Sequence, residues 1–474
     1  MTYAFTFDAR FCSGCKACQA ACKDKNNLPP GLLWRRVVEV SGGDWQQTGE
    51  AWNNSVFTYN LSLSCNHCTH PKCAGVCPTN AYVIREDGIV FLDTTKCMGC
   101  GYCSWACPYG APQYNPSAGT MTKCDFCVDQ LEQGLLPACV AACPMRVLNY
   151  GEAQSVQEGA LWEMPSETHP FPLPGYSHTQ PRLAIKPHPA MNNAEKKFEA
   201  NREETQPRPP STWEDLPLLL FTLLTQIAVG GVWAMSWMFQ PIPTLVPVLL
   251  TGICLAAGML ASFAHLGTKK NARYALRNLR KSSLSREVLF AGLFGMGWLF
   301  TALTIALKQG SSLEWMAITS ILGIGLIYNM SQVYRFPAAP GWNTWRTNAA
   351  FTVSACLLGH SVMAAVLAYE TRNSGDPTSS TLWMTIGSLI FLLLLAQLAI
   401  SYRRASQNLL HTLRVGLLVT GMSVTATSFL LSGLDRIWMS AIILLIVLSE
   451  EGLGRWSFYR SRMQVIPRVE KNLT

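Results

Sequence analysis

Four quartets of cysteine, each on a short and nearly repeated spacing, constrain the first third of this 474-residue chain more than any other feature. They are Cys12-x2-Cys15-x2-Cys18-x3-Cys22, Cys65-x2-Cys68-x4-Cys73-x3-Cys77, Cys97-x2-Cys100-x2-Cys103-x3-Cys107 and Cys124-x2-Cys127-x11-Cys139-x3-Cys143. The last three run straight into proline, at Pro78, Pro108 and Pro144. Three closely spaced thiolates on a tight loop can reach three irons of one cubane, and the fourth Cys, carried onto the next turn, reaches the neighbouring cluster. A disulfide framework would need an oxidising compartment and usually a small secreted domain. Paired CxxC units also make four-cysteine zinc sites. Four cysteines in each of four motifs, three of them closed by Cys-Pro, fit four [4Fe–4S] clusters better than either. The swap of the fourth Cys then sets the pairing. Cys65, Cys68 and Cys73 go with Cys107, and Cys97, Cys100 and Cys103 with Cys77. Cys12, Cys15 and Cys18 go with Cys143, and Cys124, Cys127 and Cys139 with Cys22.

The rest of the chain is unlike this. Sixteen of the 18 Cys precede residue 144, whereas the long apolar runs begin at Leu216. Only 14% of residues are charged and the net charge is +8. Residues 1–211 carry 17 Lys/Arg against 19 Asp/Glu, and residues 212–474 carry 20 against 10. The basic excess therefore sits in the apolar half, which excludes a basic nucleic-acid-binding face and suits a membrane domain with basic loops. Eight apolar segments are long enough to cross about 30 Å of hydrocarbon: 216–239, 245–266, 288–307, 315–334, 347–369, 382–402, 413–431 and 437–456. Glu450, Glu451 and Arg455 interrupt the end of the last. Trp and Tyr near many ends, Tyr334 among them, suit interfacial anchoring. The start of the chain shows no charged, apolar or twin-Arg leader pattern.

The expected architecture is an α+β ferredoxin-like domain with four [4Fe–4S] clusters over residues 1–150, then an all-α membrane domain of eight transmembrane helices over 213–474. Short strands are expected at Trp34–Val40, Val56–Leu63 and Ile89–Asp93. Residues 151–212, with ten prolines between Pro165 and Pro210, read as an extended connector.

Cys65-Asn-His-Cys68, the stretch from Cys97 to Asn115, Met121-Thr-Lys-Cys-Asp-Phe-Cys127 and Gly42-Gly-Asp-Trp45 resemble the electron-transfer subunit of the dimethyl sulfoxide reductase family. Some members of that family lack one Cys of the third motif and carry a [3Fe–4S] cluster; Cys100 is present here. Residues 216–474 resemble the eight-helix anchor of the same family, best at Ser262-Phe-Ala-His265-Leu-Gly267, Asn278-Leu-Arg280 and Ser285-Arg-Glu287. The resemblance implies a quinone site, for ubiquinone or menaquinone, with His265 and Glu287 as its residues. It also implies a separate molybdopterin-containing catalytic subunit as partner.

His360 reads as the one ionisable residue deep in a span, with interhelical hydrogen bonding as its alternative role. Gln226, Asn329, Gln332 and Gln397 read as interhelical glue. With His265 and His411 near span ends and His360 central, no haem-binding pair is expected.

Loops on the side of the cysteine-rich domain, with the C-terminal tail, carry 17 Lys/Arg; the opposite loops carry Lys308, Arg372 and Arg436. Basic loops stay in the cytoplasm. The expected location is the bacterial cytoplasmic membrane, with the iron–sulfur domain and C-terminus inside. Among relatives with such an anchor, the cytoplasm-facing sulfite dehydrogenase fits this orientation: sulfite oxidation with quinone reduction. The alternative is quinol-dependent reduction of an S-oxide or N-oxide. An ion-translocating module and a passive anchor without a quinone site are further alternatives.

Overall fold

The computed structural model describes residues 2–152, 178–192, 198–200, 216–239, 243–308, 312–374, 380–402, 409–430 and 435–460. Trp213, most of the proline-rich connector, and the basic residues Arg403, Arg404, Arg462, Arg468 and Lys471 lie outside the described residues.

Alternating apolar residues build the α+β part. β1 (Tyr3–Asp8) turns Phe5 and Phe7 inward and pairs antiparallel with β4 (Leu148–Glu152), setting Phe5 opposite Tyr150. Phe5 stacks on Phe126 with ring centroids 4.1 Å apart, which ties this sheet to the fourth cysteine motif. A second sheet pairs β2 (Arg36–Gly42) with β3 (Phe57–Leu63), so Val38 meets Leu61 and Val40 meets Tyr59. The connector contributes to both sheets. β5 (Leu183–Lys186) lies parallel to β1, and β6 (Phe198–Ala200) antiparallel to β2. These parts of it are built into the iron–sulfur domain. The cysteine motifs occupy loops and one- or two-turn helices: α1 (Ala17–Lys25), α2 (Lys72–Val76), α3 (Tyr102–Ala106), α4 (Val128–Leu131) and α5 (Ala138–Ala141).

Eight long apolar helices follow: α6 (Leu216–Met238), α7 (Leu245–Ala264), α8 (Ser283–Ala306), α9 (Ser312–Gln332), α10 (Trp345–Ser374), α11 (Ser380–Tyr402), α12 (Leu409–Leu430) and α13 (Arg436–Arg460). Their outward faces expose Ile253, Leu260, Ile321 and Leu445, as suits lipid. α6 packs closely on α10 because Gly230 and Gly359 meet there; a Cβ on either would collide with the backbone of the other helix. Two boundaries differ from the sequence expectation. α8 begins at Ser283, capped by Ser282 Oγ accepting from the Ser285 N–H at 3.3 Å, and this draws Glu287 inside the helix. α13 runs unbroken through Glu450, Glu451 and Arg455. Tyr334, expected at an interface, is instead buried among Trp105, Trp342 and Phe458.

The two parts join through the segment between α7 and α8. Asn271 Nδ2 donates to the carbonyls of Thr95 and Cys97, both at 2.9 Å. Asn278 Nδ2 donates to those of Gly75 (3.0 Å) and Cys77 (2.9 Å), and Ser282 Oγ to that of Val76 (2.8 Å). The last carbonyls of a helix have no partner within it, and here the membrane domain supplies partners for those at the end of α2. Gly267 lies against Gly119, where a Cβ would strike the carbonyl oxygen, and the Thr268 N–H donates to the Met98 carbonyl at 3.1 Å.

Replacing Asn278 with Leu leaves two carbonyls unmet at this seam, at a cost of about 1–3 kcal/mol for a buried acceptor. Limited proteolysis of the detergent-solubilised protein should then cut between the two parts at lower protease concentration. An unchanged cleavage profile would show that the seam does not depend on this side chain.

Candidate functional site

The fold gathers these cysteines near one another, both within the expected groups and between neighbouring ones, as with Cys18 and Cys139 or Cys124 and Cys65. Cys12 lies within electrostatic reach of Cys18, Cys143 and Cys15, and Cys124 within reach of Cys22. Cys22 lies near Cys139 and Cys127. Cys73 has Cys107, Cys65 and Cys68 around it, and Cys103 has Cys100, Cys77 and Cys97. Cys12, Cys15, Cys18 and Cys143 line a small cleft of about 20 Å³ whose other walls include Phe7, Val37 and Leu148. Among the described residues, no three His, Cys, Asp or Glu side chains gather around a single-ion site.

Two observations test whether this donor set suits iron–sulfur clusters. First, burial pushes the thiols of Cys22, Cys68 and Cys100 up to about 12, and those of Cys107 and Cys127 to about 11. Thiolates at such positions need strong positive charge beside them, which metal coordination supplies. Second, two cations are buried among them. Arg35 is 2% exposed and Lys123 4%. Burial opposes both charges, and the thiolates outweigh it: Cys139, Cys124, Cys18 and Cys22 around Arg35, and Cys65, Cys73 and Cys124 around Lys123. Arg35 is held by Ser62 Oγ (3.2 Å) and Ser64 Oγ (2.9 Å), and Lys123 by the Cys124 carbonyl (2.8 Å). Each cation thus stands between two cysteine sets as the counter-charge of anionic groups. The residues fit the clusters.

The seam lies against one of these sets. Cys77 and Cys97, whose carbonyls Asn278 and Asn271 hold, belong to the group with Cys100 and Cys103. From that loop Tyr102 extends into the membrane domain, packs on Phe336 at 5.2 Å, and is 2% exposed. Burial and then the charge of Glu287 push its phenol well above the ordinary range. Glu287 is itself buried, and its Oε1 has no partner among the described residues. Tyr334, whose hydroxyl bonds that of Tyr459 at 2.7 Å, also lies within its electrostatic reach. A buried carboxyl thus lies near both the loop of one cysteine set and an aromatic cluster.

The other sequence candidates are placed differently. His265 closes α7 two residues before Gly267, half-buried, with Nδ1 unpartnered, and no contact joins it to Glu287 among the described residues. His360 is fully engaged: Nε2 accepts from Trp237 Nε1 at 3.1 Å, and Nδ1 bonds the Cys356 carbonyl at 2.8 Å. This is the interhelical role. It is not the one ionisable residue deep in a span, because Glu450, Glu451 and Arg455 are all buried. A carboxylate pair with an arginine four or five residues on, inside an apolar helix, is a signal available in the sequence. Asn271, Ser282 and Tyr459 carry no such signal, and Tyr102 only its place next to Cys103.

The fold and site define a class: a membrane-embedded protein that carries electrons on iron–sulfur clusters. A family model described as a 4Fe-4S dicluster domain matches residues 56–153, and one described as the DMSO reductase anchor subunit (DmsC) matches residues 210–460. The protein belongs to the DMSO reductase anchor subunit family, with an iron–sulfur electron-transfer part fused in front of the anchor. That front part is 46% identical over 187 residues to a subunit of the anaerobic dimethyl sulfoxide reductase of Escherichia coli (strain K12), covering 39% of this chain and 88% of the relative. It is 43% identical over 141 residues to a subunit of the tetrathionate reductase of Salmonella typhimurium (30% and 54%). It is 36% identical over 174 residues to the formate dehydrogenase iron-sulfur subunit of Wolinella succinogenes (32% and 82%).

If the pairing is right, Cys22→Ser and Cys127→Ser remove the same cluster, read as identical losses in the EPR spectrum of the reduced protein and equal losses of iron. Loss of two different signals would refute it. Arg35→Gln should move the midpoint potentials of the two adjacent clusters downward, because the reduced state carries the greater negative charge. Unmoved potentials would remove Arg35 from that role.

Proposed function

We propose that this chain relays electrons between a separate molybdopterin-containing subunit and membrane quinone. Four [4Fe–4S] clusters on the sixteen cysteines form the path, and the last is the one held by Cys97, Cys100, Cys103 and Cys77. The observation that carries this reading is the seam, which fixes the backbone of that cysteine set onto the membrane domain beside a buried carboxyl, Glu287, whose Oε1 has no partner among the described residues. When bound, the clusters supply one-electron transfer. The chain's residues do the rest. Glu287 exchanges a proton with a quinone oxygen, the task a positioned carboxyl performs in general acid–base catalysis. His265 orients the ring from the end of α7. The aromatic wall of Trp105, Tyr334 and Trp342 excludes water.

The direction we favour is sulfite oxidation with quinone reduction, from an iron–sulfur domain facing the cytoplasm. Of the 17 basic residues counted on that side, Arg286, Arg346, Arg414, Arg455 and Arg460 belong to the long helices, as do Arg372 and Arg436 opposite. The remaining twelve still outnumber Lys308. The similarity to a subunit of dimethyl sulfoxide reductase favours a second reading, quinol-dependent reduction of an S-oxide.

The purified complex should reduce a short-chain ubiquinone with sulfite. Activity only with quinol and an S-oxide would replace the first reading by the second. Glu287→Gln should lower quinone turnover by about 10²-fold while leaving the cluster EPR signals in place. Retained turnover would turn the anchor into a passive one. In inverted membrane vesicles, added protease should cut the iron–sulfur domain; protection there would reverse the orientation.

A further inference from the structure

α13 brings two carboxyls and an arginine into the bundle interior. Glu450 is 0% exposed, Glu451 2% and Arg455 5%. Burying ionisable groups in a membrane domain is costly, and such groups mark proton or ion pathways unless they only pair with one another. Glu450 does pair: Arg414, from the second turn of α12, donates Nε at 3.0 Å and Nη2 at 2.6 Å to its Oε1. Glu451 does not. Its direct hydrogen-bond donors are neutral, Ser354 Oγ at 2.7 Å and Gln397 Nε2 at 3.0 Å. Arg455 turns instead to Gln226 Oε1 at 2.9 Å and lies 3.9 Å from the Phe351 ring centroid. The charged groups facing Glu451 are therefore Glu450, Arg455 and Arg414, with none hydrogen-bonded to it.

A second observation sets this group apart from a structural ion pair. Glu450 Oε2, Gln397 Oε1 and Arg455 Nε are out of solvent and without a partner among the described residues. Orphaned polar atoms of this kind are met by internal water, which carries protons between fixed groups. The cluster also has a direction. Glu451 lies two turns, about 12 Å of helix rise, before Tyr459 on α13 with Arg455 between them, Tyr459 bonds Tyr334, and Tyr334 lies within electrostatic reach of Glu287. A hydroxyl both donates and accepts, so the tyrosine pair can pass a proton. At the outer end Arg414 lies five residues, about 7 Å of helix rise, from the start of α12.

We propose that Glu451, supported by Glu450 and Arg414, is a proton-holding site that serves Glu287 through Tyr459 and Tyr334, so that the quinone site exchanges protons with the iron–sulfur side of the membrane. This rests on the quinone reading above. Reduction of one quinone takes two electrons, arriving singly over the clusters from the substrate oxidised on the molybdenum subunit, and two protons, one to each ring oxygen. For a proton that Glu287 delivers, its own O–H breaks as the new O–H forms. The tyrosine pair, supplied from Glu451 by water beside Arg455, restores it, and Glu451 recovers its proton from solution past Arg414. Quinol oxidation runs the same route backwards. No proton crosses to the opposite face.

The test uses the whole complex with its clusters reduced by stoichiometric dithionite, mixed in a stopped-flow instrument with decylubiquinone in weak buffer containing a pH indicator. Cluster reoxidation and proton uptake are followed together. Glu451→Gln should slow both on the order of tenfold, with the KM for decylubiquinone unchanged. Glu451→Asp should recover part of the rate, and Tyr459→Phe should slow uptake without changing cluster content. Native rates in Glu451→Gln and Tyr459→Phe would overturn the proposal and leave the quinone reading standing. A native complex whose clusters decylubiquinone does not reoxidise would overturn the quinone reading and this proposal with it.

Discussion

Two backbone carbonyls, those of Cys77 and Cys97, are satisfied by asparagine side chains from the membrane domain. An exposed loop would give such carbonyls to water. Here they are sealed into a seam, and a buried acceptor without a donor is expensive. Asn271 and Asn278 therefore position the backbone of one cysteine set against the bundle, and Tyr102 comes within electrostatic reach of Glu287 as a result. Gly267 and Gly119 complete the approach by having no side chain to hold the backbones apart.

Within the iron–sulfur domain the governing balance is electrostatic. The thiols gather in a small, largely buried space, and burial, which opposes their charge, pushes many of them upward, Cys22 and Cys100 to about 12. Iron and the buried cations Arg35 and Lys123 share the task of making that charge tolerable. In the membrane domain the same cost shapes α13, where Arg414 pairs Glu450 while neutral groups surround Glu451.

The cysteine motifs are legible in the sequence because their information is local. Most of their cysteines lie three to five positions apart and so share one loop and the turn that follows it, whereas the pairing of the first motif with the fourth reaches across the whole domain. Eight helices are legible because hydrocarbon thickness dictates their length. The seam is not, since Asn271 and Asn278 look like ordinary loop polar residues until the domain they face is known. The ionisable cluster of α13 looks like a weakened span because hydropathy averages over faces, and Arg414 looks like a loop charge. Only packing shows that Arg414 and Glu450 are partners across two helices. Tyr334 misleads for the converse reason: an aromatic near a helix end suits an interface, but here the docked iron–sulfur domain covers it.

The most direct measurement of whether electrons pass at this seam is EPR of the reduced complex titrated with a redox-inert quinone analogue. Occupation of a site beside Glu287 should alter the signal of a single cluster, the one that Cys100→Ser removes. A signal unchanged by the analogue, or a change in a cluster retained by Cys100→Ser, would contradict the assignment of the quinone site to this end of the row of clusters.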